Sequence, residues 1–329
     1  MKQMTNLNRS DVNTVSVISK QSSQKMPLPL FRCLRVHAVV GVLAVGCANL
    51  AAQTSPTLDK IRETGVVVVG HRIGSIPFSY LDGTLKPIGY TLDLCQRVVD
   101  SLARTLDRPL TVKLVAVTPA TRIPLVVNGT LDLECGVTTN TLERQKSLSF
   151  AVTTFVTHGR LLSKKSSAIQ SLADLKGKPV VSTTSTTNMQ FLNEANRSQG
   201  LNMKILAGKD DAESFQMVDA DRAVAYAMDD VLLRSLVVSS GRPDEFMISR
   251  EALSVEPYAI GLSRHDPVFK KAVDAALTTL FKSGDIHTLY RRWFESPIPP
   301  KGINLQLPMS AELKRVIASP TDSGNPSDY

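Results

Sequence analysis

Arginine and threonine residues stand where the end of a strand or the start of a helix could hold an anion. Arg122 opens a predicted helix directly after Thr121, and a guanidinium can match a carboxylate through two parallel hydrogen bonds. Thr139 is predicted to start another helix, whose first backbone N–H groups would add donors. Residues 183–187, a serine and threonine run between a predicted strand and a helix, form a third such place. The pattern predicts a site for carboxylate oxygens.

Acidic and basic residues also follow two apolar runs. Asp229 comes directly after the apolar run 223–228, and Asp230 precedes a helix predicted over 231–237. Asp229 could therefore face a cleft and pair with a cation, or both aspartates could only cap the helix. Arg72 ends an earlier apolar run and, as a lone arginine, is equally compatible with a surface position.

Motifs of covalent catalysis and of phosphate binding are absent from the sequence. It contains no G-x-S-x-G, G-x-x-x-x-G-K-[ST], G-x-G-x-x-G or C-x-x-C motif. Its five histidines are far apart and never at metal-ligand spacing. We therefore predict no catalytic residue, no metal and no cofactor, and the sequence favours binding over bond breaking.

Two sets of alternating strands and helices must position these residues. The first set lies between residues 66 and 135, and the second begins near residue 171 and runs to residue 237. This alternation predicts an α/β fold with two lobes of similar build and a site in the crevice between them. Two further helices are predicted before the proline run 297–300, while residues 319–329, rich in polar residues and proline, are predicted to form a loose tail.

The overall charge does not indicate a nucleic-acid partner. The chain has 329 residues, 43% of them apolar, which is enough for two packed domains, and a formal net charge of +8. The positive excess is concentrated in the first 52 residues, where Asp11 is the only acid. Because the remainder is only mildly basic and has no basic stripe, we expect no nucleic-acid binding.

The N-terminal segment, residues 1–52, has the layout of an extension followed by a secretory signal peptide. Arg32 and Arg35 precede a short apolar run over 38–47, which is followed by small residues. We therefore predict export to the periplasm. Cys47 leaves a second possibility open, in which the mature chain is anchored as a lipoprotein.

Two cysteines remain beyond the signal region, Cys95 and Cys135. They could pair in an oxidising compartment, but their spacing does not require it. Cys95 falls on the apolar face of a predicted helix and Cys135 in the buried phase of a predicted strand. The sequence therefore favours two unpaired cysteines that act as small buried hydrophobes.

Several motifs carry a family resemblance that extends from about Thr57 to about Leu313. Together they resemble the polar amino-acid solute-binding proteins of bacterial ABC importers (family 3), and within that family its glutamate/aspartate-binding members. The motifs that carry it are Gly70-His71-Arg72, Pro77-Phe78-Ser79-Tyr80, Gly89-Tyr90-Thr91-Leu92-Asp93-Leu94, Arg122-Ile123-Pro124-Leu125, Asn128-Gly129-Thr130, Glu134-Cys135-Gly136, Thr138-Thr139-Asn140, Glu143-Arg144-Gln145-Lys146, Met228-Asp229-Asp230 and Pro297-Ile298-Pro299-Pro300.

The resemblance implies a type II periplasmic-binding-protein fold, with two α/β lobes joined by two crossing strands and a ligand cleft between them. By this resemblance, lobe 1 comprises residues 57–157 and 259–313, and lobe 2 comprises residues 158–258. Residues 314–329 would then follow as a flexible tail.

The resemblance also implies roles for the candidate residues. Arg122 would hold the α-carboxylate of an amino acid, with Thr139 adding donors. Asp229 would pair with the α-ammonium group. Among the hydroxyl residues of the run 183–187, the resemblance selects Thr187.

The pocket for the ligand side chain departs from the family pattern. Arg72 matches the arginine that meets the side-chain carboxylate in the glutamate/aspartate-binding members. Pro119 and Val137 stand where these relatives carry serine, and Asp211 stands where they carry histidine. A carboxylate at Asp211 would repel an anionic side chain or neutralise Arg72. Glutamate or aspartate is expected first, and a neutral or cationic side chain becomes plausible if Asp211 faces the ligand.

The resemblance implies a monomeric periplasmic binding protein that delivers an L-amino acid to an inner-membrane ABC permease, without a cofactor and without enzymatic activity. The main alternative is an enzyme on the same scaffold, similar to the periplasmic cyclohexadienyl or arogenate dehydratases. Asp211 is the one new candidate acid for such an enzyme. Asp229 argues against the alternative, because a group that pairs with an ammonium has less purpose with prephenate.

Overall fold

A computed structural model describes residues 54–329 of the chain; the predicted signal region 1–52 and Cys47 lie outside these residues. Within the described part, the helices are α1 (Pro56–Thr64), α2 (Tyr90–Thr105), α3 (Arg122–Val127), α4 (Thr187–Ser198), α5 (Asp211–Asp219), α6 (Asp230–Ser239), α7 (Pro267–Ser283), α8 (Asp285–Phe294) and α9 (Ala311–Ala318). The strands are β1 (Val66–His71), β2 (Gly74–Ser75), β3 (Ser79–Leu81), β4 (Pro87–Ile88), β5 (Thr111–Ala116), β6 (Leu133–Glu134), β7 (Ser149–Phe150), β8 (Phe155–Lys164), β9 (Pro179–Thr183), β10 (Lys204–Gly208), β11 (Ala225–Asp229), β12 (Phe246–Ile248), β13 (Ser254–Tyr258) and β14 (Gly261–Leu262).

The first sheet has the strand order β5-β1-β6-β14-β7, and β1 pairs in parallel with both β5 and β6. The first four residues of β1 are valine, a β-branched residue that suits a strand covered on both faces. Helix α2 packs on this sheet, because its buried positions Leu94, Val98 and Leu102 recur at helical spacing. This sheet therefore directs the carboxyl ends of β1 and β6 to one edge.

The second sheet has the order β10-β9-β11-β8-β12, and β13 pairs with β8 beyond this path. Strands β9, β10 and β11 run parallel to one another, while β8 is antiparallel to β11. The side chains of Leu161, Val180 and Ala225 are fully buried in the core of this part. The predicted α/β architecture is confirmed, and β2, β3 and β4 form a third, small antiparallel sheet.

Two segments carry the chain between the sheets. The chain leaves the first sheet after β7 and enters the second in β8, and it returns from β13 to β14. These segments lie side by side, since β8 and β13 pair antiparallel with Phe155 opposite Tyr258. The exact residue boundaries of the two lobes, 157/158 and 258/259, stay a prediction.

The prediction of two unpaired cysteines is wrong. Cys95 in α2 and Cys135, directly after β6, form a disulfide with their Cα atoms 6.4 Å apart. Both side chains are buried, as predicted. The apolar face of α2 and the inward phase of β6 point into the same core, and this brings two cysteines that are 40 residues apart in sequence into contact.

The prediction of a loose tail over 314–329 does not match the structure. Helix α9 begins after the capping residue Ser310 and buries Leu313 and Val316. Beyond α9, the backbone N–H of Thr153 donates to the carbonyl of Thr321 at 2.8 Å. Asn140 and Gln145 also donate to the carbonyl of Asp322, each at 2.9 Å, so hydrogen bonds attach this segment to the rest of the fold. No helix within residues 54–329 has both the length and the apolar character needed to cross a membrane.

Candidate functional site

The six predicted site residues lie where the two sheets face each other. Five of them are buried, with at most 5% of each residue exposed: Arg72, Arg122, Thr139, Asp211 and Asp229. Thr187 is half-buried. Polar groups converge at the carboxyl ends of parallel strands, which is the usual position of a ligand site in an open α/β sheet.

Arg122 is the first residue of α3, and its charge is poorly compensated by its surroundings. Its Nη1 donates to the carbonyl of Val137 at 3.1 Å, while its Nε has no hydrogen-bond partner. Burial, together with the positive charge of Arg144, lowers the pKa of Arg122 to about 9. Thr121 precedes the helix but makes no side-chain capping bond to it. The arrangement is that of a buried cation with donor capacity left for an anion.

The helix predicted to start at Thr139 is absent from the structure, and only a short 3-10 helix, Arg144–Lys146, follows. Thr139 forms an isolated β-bridge with Tyr258, and its carbonyl accepts a hydrogen bond from Arg144 Nη1 at 2.8 Å. The neighbouring N–H of Asn140 donates to the carbonyl of Pro257 at 2.7 Å. Pairing with the returning chain keeps this segment extended, and this long-range pairing overrides the local helix signal.

Asp229 ends β11 and precedes α6, but its carboxylate does not cap that helix. Its Oδ1 accepts from Asn188 Nδ2 at 2.7 Å, and its Oδ2 accepts from the hydroxyl of Tyr258. Burial and the negative charge of Glu256 raise the pKa of Asp229 to about 8. Burial therefore favours the protonated carboxyl group, and a cation placed beside it would favour the charged form.

Thr187 begins α4 and faces a second buried carboxylate. Its hydroxyl donates to Oε2 of Glu256 at 2.7 Å, and the hydroxyl of Ser254 donates to Oε1 at 2.6 Å. The capping role in this helix belongs to the preceding residue, Thr186, whose hydroxyl accepts from the backbone N–H of Met189. Thr187 therefore does not cap this helix.

Arg72 and Asp211 form an ion pair between the two parts of the structure. Arg72 follows β1 of the first sheet, and Asp211 is the first residue of α5, which packs on the second. Arg72 Nη2 and Asp211 Oδ2 are 3.8 Å apart. Asp211 thus faces the site and partly neutralises Arg72, one of the two outcomes expected from the sequence.

The site is chemically suited to a small zwitterion. The buried guanidinium of Arg122 can bind an anion. The separate carboxyl group of Asp229, whose pKa is raised, can pair with a cation. Within residues 54–329, no group of three or more histidine, cysteine or acidic side chains is placed to hold a metal ion.

Residues 67–296 match the family of bacterial extracellular solute-binding proteins, family 3. This chain belongs to that family.

Relatives of this solute-binding protein span most of its length. It is 48% identical over 288 residues to the L-glutamate/L-aspartate-binding protein of Pseudomonas aeruginosa, covering 87% of this chain and 95% of the relative. It is 42% identical over 275 residues to the glutamate/aspartate import solute-binding protein of Escherichia coli, covering 83% of this chain and 91% of the relative. The predicted membership of the family is confirmed.

Solved structures agree with the type II fold. An ancestral arginine-binding protein bound to glutamine matches with a TM-score of 0.63 and 26% identity, covering 70% of this chain and 98% of that structure. An ancestral amino acid-binding protein described as a precursor of cyclohexadienyl dehydratase matches with a TM-score of 0.62 and 26% identity, covering 72% and 99%. The predicted fold class is confirmed.

Four further residues of this solute-binding protein were not assigned to the site from sequence. Arg144 joins the two parts, because its Nη2 donates to the carbonyl of Ser185 at 3.4 Å in addition to its bond with Thr139. Glu134 is buried, and neither of its carboxylate oxygens has a hydrogen-bond partner. Arg144 and Glu134 both belong to motifs that carry the family resemblance, and that position could have identified them as site residues. The other two residues that were not assigned from sequence are Glu256 and Tyr258.

Gly136 explains why the Glu134-Cys135-Gly136 motif ends in glycine. A Cβ atom at this position would lie 2.4 Å from Glu134 Oε1 and 3.0 Å from Arg72 Cγ. A side chain at this position would displace the Glu134 carboxylate and crowd Arg72, so the glycine leaves both side chains in the positions observed.

Proposed function

We propose that this chain is the periplasmic solute-binding component of an amino-acid ABC importer. It binds an L-amino acid, glutamate or aspartate foremost, in the cleft and delivers it to an inner-membrane permease. It acts as a monomer, without a cofactor and without catalysing a reaction. The names of the two relatives described above support the acidic ligand and the transport role.

One observation of the site carries the proposal. Arg122 and Asp229 are both buried, and within the described residues no salt bridge joins either of them to another side chain. An α-amino acid supplies the two charges that these groups need, a carboxylate for Arg122 and an ammonium for Asp229. Thr139 and Thr187 flank these groups, and Arg72 with Asp211 contacts the ligand side chain.

A dehydratase-like activity is the alternative, and the contacts of its candidate acid count against it. Such an enzyme needs a side chain that can exchange a proton with the substrate. Asp211 accepts hydrogen bonds from Thr183 and Tyr226 and faces Arg72, so its carboxylate is held by the protein. Asp229 remains better suited to an ammonium group than to prephenate, which has none.

A thermal-unfolding screen tests the proposal. The purified protein is melted with each L-amino acid, with prephenate and with arogenate, and calorimetry follows on each ligand that raises the melting temperature. A ligand at 100 times its Kd should stabilise the protein by about 2.7 kcal/mol. We expect glutamate or aspartate to stabilise the protein. Stabilisation by prephenate with its turnover, and none by amino acids, would overturn the proposal.

A further inference from the structure

The side-chain end of the site presents two charges of opposite sign to the same ligand group. Arg72 and Asp211 lie 3.8 Å apart, and only 6% and 5% of their side chains are exposed. This distance is too long for a direct hydrogen bond. The two groups therefore attract each other electrostatically while each keeps hydrogen-bonding capacity for a third group placed beside them.

Asp211 is fixed in place by hydroxyl groups. Its Oδ1 accepts from the hydroxyls of Thr183 at 3.0 Å and Tyr226 at 3.2 Å. Its Oδ2 accepts a longer bond from the hydroxyl of Ser75 at 3.4 Å. Ser75 and Arg72 belong to the first part of the fold and the other residues to the second, so the carboxylate lies where the two parts meet.

Arg72 keeps its donors. Its backbone N–H donates to the hydroxyl of Ser79 at 2.9 Å, but none of the hydrogen bonds within residues 54–329 uses its guanidinium group. The guanidinium is therefore a set of unused donors. Beside it, the Oδ2 atom of Asp211 has only the long bond to Ser75 and keeps capacity as an acceptor.

A donor set beside an acceptor discriminates between ligand side chains. A carboxylate offers acceptors only, so it would satisfy Arg72 but would face the negative charge of Asp211. A primary amide offers a carbonyl oxygen to Arg72 and an N–H group to Asp211, and it brings no charge into the buried pocket. The amide is therefore the group whose hydrogen bonding matches both residues.

We propose that Asp211 sets the side-chain specificity of this site and extends its ligands to the side-chain amides, L-glutamine and L-asparagine. This inference rests on the proposed function as an amino-acid-binding protein. The glutamine or asparagine carbonyl accepts from the Arg72 guanidinium, and the amide N–H donates to the Asp211 carboxylate. The same carboxylate weakens the binding of glutamate and aspartate.

Calorimetric titration with L-glutamate, L-glutamine, L-aspartate and L-asparagine tests this assignment. In the unaltered protein we expect the Kd of the better amide to lie within tenfold of that of the better acid. In Asp211→Asn, which keeps the shape and removes the charge, we expect the ratio of amide Kd to acid Kd to rise at least tenfold. Asp219→Asn is the matched control, because it makes the same change near the end of the same helix, where Asp219 pairs with Arg242.

The outcomes separate this inference from the proposed function. If glutamate binds and both amides bind more than tenfold more weakly in the unaltered protein, the inference is overturned and the binding function stands. If no amino acid binds, both fail. An unchanged ratio in Asp211→Asn also overturns the inference, and the comparison in the unaltered protein remains decisive if that variant does not fold.

Discussion

The two ends of the ligand site differ in how their charges are satisfied. At the end predicted for the α-amino and α-carboxylate groups, Arg122 has an unpartnered Nε and Asp229 has a raised pKa, and no salt bridge within residues 54–329 joins the two. At the side-chain end, Arg72 and Asp211 already face each other at 3.8 Å. The charges at the first end would be compensated by a ligand, while those at the second are partly compensated within the protein.

This difference separates affinity from selectivity. The buried guanidinium of Arg122 gains a counterion when a zwitterion arrives, and the ligand ammonium gains the Asp229 carboxylate once that group has released its proton. A pair that is already neutralised gains less and instead discriminates by hydrogen-bond pattern. We therefore expect substitutions of Arg122 or Asp229 to change the Kd of every amino acid by a similar factor. Substitutions of Asp211 should instead change the affinities of the amino acids relative to one another.

The largest expected effect is that of Arg122→Met. Losing two charge-assisted hydrogen bonds to the α-carboxylate, each contributing about 1.5–3 kcal/mol, should raise the Kd of every amino-acid ligand at least about 100-fold. The unliganded variant should melt no lower than the unaltered protein, because burial makes this cation costly and lowers its pKa to about 9. Calorimetry and thermal unfolding measure the two effects.

Arg97→Met is the matched control for that variant, since it makes the same change on the exposed face of α2. A loss of affinity confined to acidic ligands in Arg122→Met would place Arg122 at the side-chain end and break the distinction between the two ends.

The second effect is a pH dependence set by Asp229. Its pKa is about 8, so the carboxyl group must release a proton before it can pair with an ammonium. Affinity should therefore rise with pH up to about 8, by about tenfold per pH unit at the acid side. Titrations at pH 6 in two buffers of different ionisation enthalpy should detect release of close to one proton per ligand bound.

The same raised pKa affects the stability of the unliganded protein. A carboxyl group whose pKa is higher in the folded state than its ordinary value of 3.8 stabilises the fold below that value, and this contribution is lost as pH rises through about 8. In Asp229→Asn, this part of the pH dependence should disappear from thermal unfolding curves recorded between pH 4 and pH 8. An unchanged profile would mean that Asp229 is ionised in the empty site.

Residues at the ends of elements were predictable from sequence. Arg122 at the start of a helix and Asp229 at the end of an apolar strand have positions fixed by local patterns. The family resemblance then indicated which of the possible roles each one has. The alternation of apolar strands and helices was likewise enough to predict two α/β parts.

Features that depend on distant parts of the chain were not predictable in the same way. Thr139 was predicted to start a helix, but its bridge to Tyr258 joins residues more than a hundred positions apart. The sequence correctly indicated that Cys95 and Cys135 are buried, but nothing in it indicated that the two residues contact each other. Glu256 enters the site only because β13 pairs with β8, and a single acid in a strand does not reveal that pairing.

The smallest expected effect is that of Glu256→Gln. Glu256 is buried, and its negative charge helps to raise the pKa of Asp229. The glutamine variant keeps an acceptor for Thr187 but removes the charge, so the pKa of Asp229 should fall. The same charge also attracts the ligand ammonium, and its removal should weaken binding at pH 8. Affinity should consequently gain less between pH 6 and pH 8 than in the unaltered protein.

Calorimetry at pH 6, 7 and 8 measures this flatter profile, with Glu251→Gln as the control because Glu251 is exposed. The ratio of glutamine to glutamate affinity should change by less than about twofold, since Glu256 contacts Thr187 and Ser254 and not the Arg72 and Asp211 pair. A larger change in that ratio would show that the charges at the two ends are coupled through the buried carboxylates. In that case one electrostatic network would set both affinity and selectivity.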